Sequence, residues 1–197
     1  MNAAMLKVFR PHKTKKPQNI LEHDPSDGST QINISTFALL FCEIVRHTRS
    51  RVNSTEEHHE KLAEYGKFVG DRLLDVIVLR EKGYKRPTKL LDTLLFVKGP
   101  VWLNLFGKEA EKLERSKEDE CTYFLIEKEP LVNSFTSQGR HCSDLNPAAF
   151  SAGIVESVLT ALNFPCRVTA HWHCGTAYVI KFEPEVIERM KMSYHTS

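Results

Sequence analysis

The side chains best suited to chemistry crowd near one end of the sequence, at His171, His173 and Cys174. On a strand, His171 and His173 project from the same face, an arrangement that two metal ligands can use. His141 and Cys142 could complete a zinc set with them. No CxxC or HExxH spacing supports such a site, and histidines on the open face of a hairpin are the simpler reading. A second pair, His58-His59, stands in an acidic helix start and reads as solvent-facing. Phe106-Gly107-Lys108 lacks the earlier glycine and the following Ser or Thr of a phosphate loop. The GxGxxG and GxSxG patterns are also missing. Cys42 lies among apolar residues and reads as a buried, inert thiol. No acid and base pair off at a catalytic spacing. The residues therefore predict no enzyme, no metal and no cofactor.

The elements that would position these side chains centre on the stretch from Asn146 to Phe182. Asn146 suits a helix N-cap and Pro147 the first helical position. Phe150, Ile154, Val158 and Leu162 then recur at helical spacing, with Val155 and Leu159 beside them. Only Glu156, Thr160 and Asn163 make a polar stripe, so this helix must be covered on more than one side. Asn163-Phe164-Pro165 stops it. Val168, Ala170 and Trp172 alternate with Arg167, Thr169 and His171 as a half-buried strand does. Cys174-Gly175 turns the chain, and Tyr178, Ile180 and Phe182 return it.

Two helices precede this unit. The first, Ser35 to Arg51, has a stripe of Phe37, Leu40, Phe41, Ile44 and Val45, with Ser35 as its N-cap. The second starts at Ser54, where Ser54 and Glu57 have capping-box spacing. Leu62, Tyr65, Val69, Leu73, Val76 and Ile77 form its main stripe. Gly66 and Gly70 lie at the stripe's edge, each costing about 1 kcal/mol relative to Ala, and close approach of another helix would explain them. Leu39 on the first helix, and Leu74 and Val78 on the second, fall outside the stripes and form a patch that a monomer rarely leaves exposed. Lys89 to Phe106 is strongly apolar, and Gly99-Pro100 should kink or split it. Lys108 to Glu120 reads as a charged helix and loop, Thr122 to Glu127 as a strand, and Leu131 to Thr136 as an extended piece. A last helix runs from Glu185 to about Met192. This order predicts an α+β fold: an antiparallel β-sheet packed against a layer of helices, with an N-terminal helix pair.

With 197 residues the chain supports one sizeable core. Residues 1–31 read as a disordered basic tail, 32–192 as a single domain, and 193–197 as a C-terminal tail. A net charge of +2 argues against nucleic acid as a partner. Five cysteines at irregular spacing fit a reducing compartment better than a disulfide framework. No uninterrupted apolar run is long enough to span a membrane, and no secretory signal is evident.

Four stretches carry a family likeness: ISTFALLFCEIV from Ile34, LLFVKGPVWLNLFGKEAEKLE from Leu94, IEKEPLVN from Ile126, and FSAGIVESVLTALNFPCRVTAHWHCGT from Phe150. Together they resemble the TRAPP small-subunit family from about Ile32 to Ile187. The resemblance implies an α+β scaffold subunit of a vesicle-tethering complex of the early secretory pathway. Such a complex acts as a nucleotide-exchange factor for a Rab/Ypt-type GTPase, peripheral to ER and cis-Golgi membranes on the cytoplasmic side. It also implies that the helix pair docks a subunit 3-like partner, and that a subunit 2-like partner sits at another surface. Leu39, Leu74, Val78, Gly66 and Gly70 are then the expected partner interface. Leu94, Val97, Val101 and Trp102 are expected at a second interface or an apolar channel. The related subunit 3 carries an acylated Cys after its second long helix; the matching loop, Lys82 to Pro87, has none, so acylation does not carry over. The competing functions are a small-molecule or acyl-chain binding domain, suggested by Leu90 to Phe106, and a metal enzyme built on His171 and His173.

Overall fold

The computed structural model describes residues 33–80, 85–136 and 145–195. The expected basic tail, most of the polar loop before Asn146, and His141 and Cys142 lie outside the described residues. Six α-helices and four strands are described: α1 Ile34–Arg49, α2 Thr55–Arg80, α3 Leu90–Phe96, α4 Trp102–Phe106, β1 Lys112–Arg115, β2 Thr122–Glu127, α5 Ala149–Ala161, β3 Cys166–Trp172, β4 Thr176–Phe182 and α6 Pro184–His195.

Helix α5 is the centre, as its composition requires. Every residue from Ala149 to Leu159 is buried. Helix α2 covers one side of α5 and the sheet covers the other. The Asn146 side chain accepts from the Ala148 N–H at 3.1 Å and caps the turn leading into the helix. At the far end Asn163 takes φ +73°, and the N–H groups of Asn163 and Phe164 donate to the carbonyls of Thr160 and Leu159. This is a Schellman stop, with Asn in the place glycine usually takes.

Along the seam with α2 the backbones touch. A Cβ on Gly66 would lie 2.0 Å from the Phe150 carbonyl oxygen, and one on Gly153 would lie 1.9 Å from that of Ala63. Gly70 faces Ile154 and Ser157 in the same way. The helix that explains Gly66 and Gly70 is therefore α5 of the same chain. Both glycines, expected at the partner interface, are buried against α5 within the chain. Asp71 accepts from the Ser157 hydroxyl across this seam.

The sheet has order β1-β2-β4-β3 and is antiparallel throughout. Leu125, Tyr178, Ile180, Phe182 and Val168 turn to the core face and are buried. The hairpin turns at Cys174 and Gly175, both with positive φ. Strand β1 departs from the expected charged helix and loop: Lys112 to Arg115 pair with Ile126 to Tyr123. Its sequence has a single apolar residue, Leu113, so tertiary pairing, not local pattern, makes the strand. Leu131–Phe135 is likewise a 3-10 turn in place of the expected extended piece.

From Leu90 to Phe106 the chain is one rod in which Val97–Val101 forms a π turn at Gly99-Pro100. A π turn accommodates proline's missing N–H. The rod's inner side is core: Leu94, Val97, Val101 and Trp102 are each at most 1% exposed. These four, expected at a second interface or an apolar channel, lie buried in the core of the chain. Their apolar run is needed because helices and sheet both press on it. Trp102 donates its indole N–H to Glu127 at 2.9 Å, and Lys108 completes that buried carboxylate at 2.6 Å. Helix α1 is capped by Asn33, which accepts from the Ser35 N–H; Ser35 is not the cap. Ser54 does cap α2, accepting from the Glu57 N–H at 3.1 Å, while Glu57 reaches back to the Asn53 N–H. Helix α6 extends three residues past the expected end, into the expected C-terminal tail.

Candidate partner-docking cleft

Helices α1 and α2 form an antiparallel pair tied at its turn. His58 is buried, and its Nε2 sits 2.8 Å from the Thr48 hydroxyl and 3.2 Å from the Val45 carbonyl. The Thr48 hydroxyl hydrogen is committed to carbonyls of its own helix, so Nε2–H is the donor and Nδ1 is bare. Burial pushes the His58 pKa down, against the opposing pull of the Val45 carbonyl that accepts from its ring. The expected solvent-facing His58 is thus a structural clasp, and His59 is half-buried with its Nε2 accepting from the Asn146 N–H.

Beyond this clasp a cleft of about 660 Å³ opens between the two helices. Phe37, Leu40 and Ile44 line it from α1; Tyr65, Phe68, Val69 and Val76 line it from α2. Phe106, Val132 and Ile154 close its floor. The far side of α1 is held by Phe37 against the Phe135 ring and by the Cys42 thiol donating to the Phe135 carbonyl. Leu40 is 59% exposed, Phe68 55% and Val69 40%. Arg72 is the one charged residue in the lining. A groove this apolar and open can hold a complementary helix or an apolar ligand.

Leu39, Leu74 and Val78, the expected patch, do not line this cleft. Leu39 is 74% exposed but points away from the cleft. Leu74 is half-buried against the core, and Val78 is half-buried on the same flank of α2. Phe68 and Leu40 are the residues sequence reasoning missed. Phe68 stands just outside the Leu62–Tyr65–Val69 stripe, and a wide apolar arc there was the available signal. The rod from Leu90 to Phe106 also keeps an exposed side, at Leu91, Leu95 and Leu103.

A second, polar cleft of about 480 Å³ lies between α2, α5 and β3. Two ion pairs cross it: Arg167 with Glu60 at 3.3 Å, and Lys67 with Glu156 at 2.6 Å. Burial and the nearby His171 both lower the His59 pKa, against the pull of Glu56. His171 Nε2 sits 2.8 Å from the Thr169 hydroxyl, and His173 lies beyond the end of β3 in the turn. Among the described residues, no group of three or more His, Cys, Asp or Glu side chains converges as metal ligands would. No described helix is long and apolar enough to cross a membrane.

Comparison with known proteins gives this arrangement a family. Residues 37–183 match the model for "Transport protein particle (TRAPP) component". Trafficking protein particle complex subunit 5 of Gallus gallus is 54% identical over 178 residues, which is 90% of this chain and 95% of that protein. The Homo sapiens protein of that name is 52% identical over 89% of this chain and 94% of its own, and the Dictyostelium discoideum one 44% over 89% and 98%. A solved subunit 3 from Naegleria fowleri, described as covalently bound to palmitic acid, superposes with a TM-score of 0.68 at 14% identity, over 77% of this chain and 95% of that one. That likeness concerns the fold. With the matched region spanning helix pair, rod, sheet and central helix alike, the chain belongs to the TRAPP component family.

Proposed function

We propose that this chain is a non-catalytic scaffold subunit that docks a subunit 3-like partner in the cleft between α1 and α2. The complex it joins is a vesicle tether that acts as a nucleotide-exchange factor for a Rab/Ypt-type GTPase in ER-to-Golgi transport, peripheral to those membranes. The observation that supports docking is the cleft itself: Leu40, Phe68 and Val69 are exposed around an apolar groove that no described residue fills. Leu39 extends the same helix pair outward, whereas Leu74 and Val78 flank it. A subunit 2-like partner would use another surface, and the exposed Leu91, Leu95 and Leu103 are the apolar residues left for it. The test is Phe68→Arg. An unpaired charge in a buried interface should weaken capture of a subunit 3-like partner by about a hundredfold or more. Melting should be unchanged, because Phe68 is more than half exposed in the free chain. Undiminished capture would refute the cleft as the docking site. An acyl chain is the alternative occupant, since the volume and apolar lining suit one; a lipid-sized mass in native mass spectrometry of the purified chain would favour it.

A further inference from the structure

Phe68, Arg72, Asp75 and Leu79 follow one another at intervals of four, three and four along α2, so they share one face. All four are exposed; Leu79 is 68% so. The face reads apolar, positive, negative, apolar. Position 68 lies as far before the middle of this stripe as 79 lies after it, and 72 as far before it as 75 after. The stripe is therefore complementary to itself when two copies of α2 run antiparallel about a two-fold axis. Phe68 then meets Leu79 of a second copy, and Arg72 meets Asp75, with each contact made twice. Such reciprocity is what an isologous interface requires.

Within the chain neither charge has found a counter-charge. Arg72 donates to the Phe68 carbonyl of its own helix, and among the described residues neither Arg72 nor Asp75 forms an ion pair. Other exposed charges on these helices do pair locally, such as Arg46 with Glu43 and Lys61 with Glu64. The apolar ends would shelter the central charges from water, which strengthens them and fixes the register. Leu40, across the cleft rim from Phe68, widens the apolar contact.

We propose that a second copy of this chain docks on the outer face of α2, antiparallel, through Phe68–Leu79 and Arg72–Asp75 contacts between copies. The stripe covers about three helical turns, roughly 17 Å. That is less than a standard interface, so the dimer is weak, with a dissociation constant on the order of 10 µM. Partner capture at the cleft also engages Phe68, so self-association and assembly compete.

The experiment is sedimentation velocity of the full chain from about one to a few hundred micromolar. The wild type is expected to shift from monomer to dimer across that range. Arg72→Asp alone, or Asp75→Arg alone, sets like charges against each other twice and should weaken the dimer by about a hundredfold or more. Mixed in equal amounts, these two variants should dimerise, because in the mixed pair each contact joins an acid to a base. The double reversal in one chain should dimerise too. Should either reversal lower the melting temperature, Arg72→Gln and Asp75→Asn replace them, and each should weaken the dimer while keeping the fold. The proposal is overturned if the wild type stays monomeric throughout and associates only with a different chain. It is equally overturned if single reversals leave the dimer intact, or if they abolish it and neither the mixture nor the double reversal restores it.

Discussion

Replacing Gly66 by alanine sets two opposing effects against each other, and the structure decides which wins. In an exposed helix the change adds about 1 kcal/mol of stability through backbone propensity. At Gly66 the new methyl would sit 2.0 Å from the Phe150 carbonyl oxygen, 3.0 Å from its carbon and 3.1 Å from the Ile154 nitrogen. All three are backbone atoms of a buried helix, so no side chain can rotate aside. Helices α2 and α5 must part by more than an ångström, loosening the contacts along the whole seam. Overpacking of a tight core costs about 1–3 kcal/mol, and a backbone obstacle belongs at or beyond the upper end. The net expectation is a loss of about 2 kcal/mol, or a fall of roughly 4–8 °C in melting temperature for a domain of this size. Gly153→Ala should act with the same sign, its methyl meeting Ala63 at 1.9 Å. Once the helices have parted for one methyl, the second meets less resistance, so the double variant should lose less than the two singles together. Urea and thermal melts of the four proteins measure this. A Gly66→Ala protein as stable as the wild type, or more so, would refute the reasoning, because it would mean that α2 slides on α5 freely.

Two further expectations concern buried titratable groups. The pKa values of His58 and His59 are held below the unfolded value of about 6.5, so stability from burying them neutral is present above that pH and lost as pH falls through it, by up to about 1.4 kcal/mol per unit for each proton. Melting temperature should fall between about pH 7 and 5, and His58→Gln should flatten the curve while His59 leaves a residual slope; an unaltered slope in that variant would exclude His58. Burial, with Glu156 adding to it, pushes the Cys166 thiol far up, while Cys174 is exposed in the hairpin turn. Peptide mapping after brief alkylation near neutral pH should find Cys174 labelled first and Cys166 last; equal labelling would mean that β3 opens readily.

Where local chemistry decides an outcome, the sequence announced it. Ser54 with Glu57, Asn146 with Pro147, and Asn163 before Phe164-Pro165 each set a helix boundary through groups a few residues apart. The hairpin alternation from Val168 to Phe182 likewise needs only period two. Where a distant segment decides, local reading failed. Lys112 to Arg115 become a strand only because β2 offers an edge. His58 is buried only because α1 brings Thr48 and Val45 over it. The candidate site shows the same division. An excess of apolar helix surface on the first two helices was legible, and so was the need for a close neighbour at Gly66 and Gly70. Which flank of α2 faces outward was not, because the side on which α5 packs is a tertiary choice. That choice buried Gly66 and Gly70 and half-buried Leu74, while it exposed Phe68.

Glu156 has one further effect. Its carboxylate accepts the N–H of Val168 on the outermost strand, at 3.0 Å, and is itself held by Lys67. A stray strand seeking to extend the sheet on that side would first have to evict a buried anion from its cation. On the opposite margin β1 offers only Lys-Leu-Glu-Arg, too short and too charged to template growth. Strand-wise polymerisation, the usual hazard of a bare sheet, is therefore discouraged at both margins. A newly made copy still waiting for its companions presents a different risk, a greasy slot between two helices. If a partner docks there as proposed, factors that hold unassembled subunits would recognise the free chain by that slot, and its lifetime before assembly would depend on how soon the slot is filled.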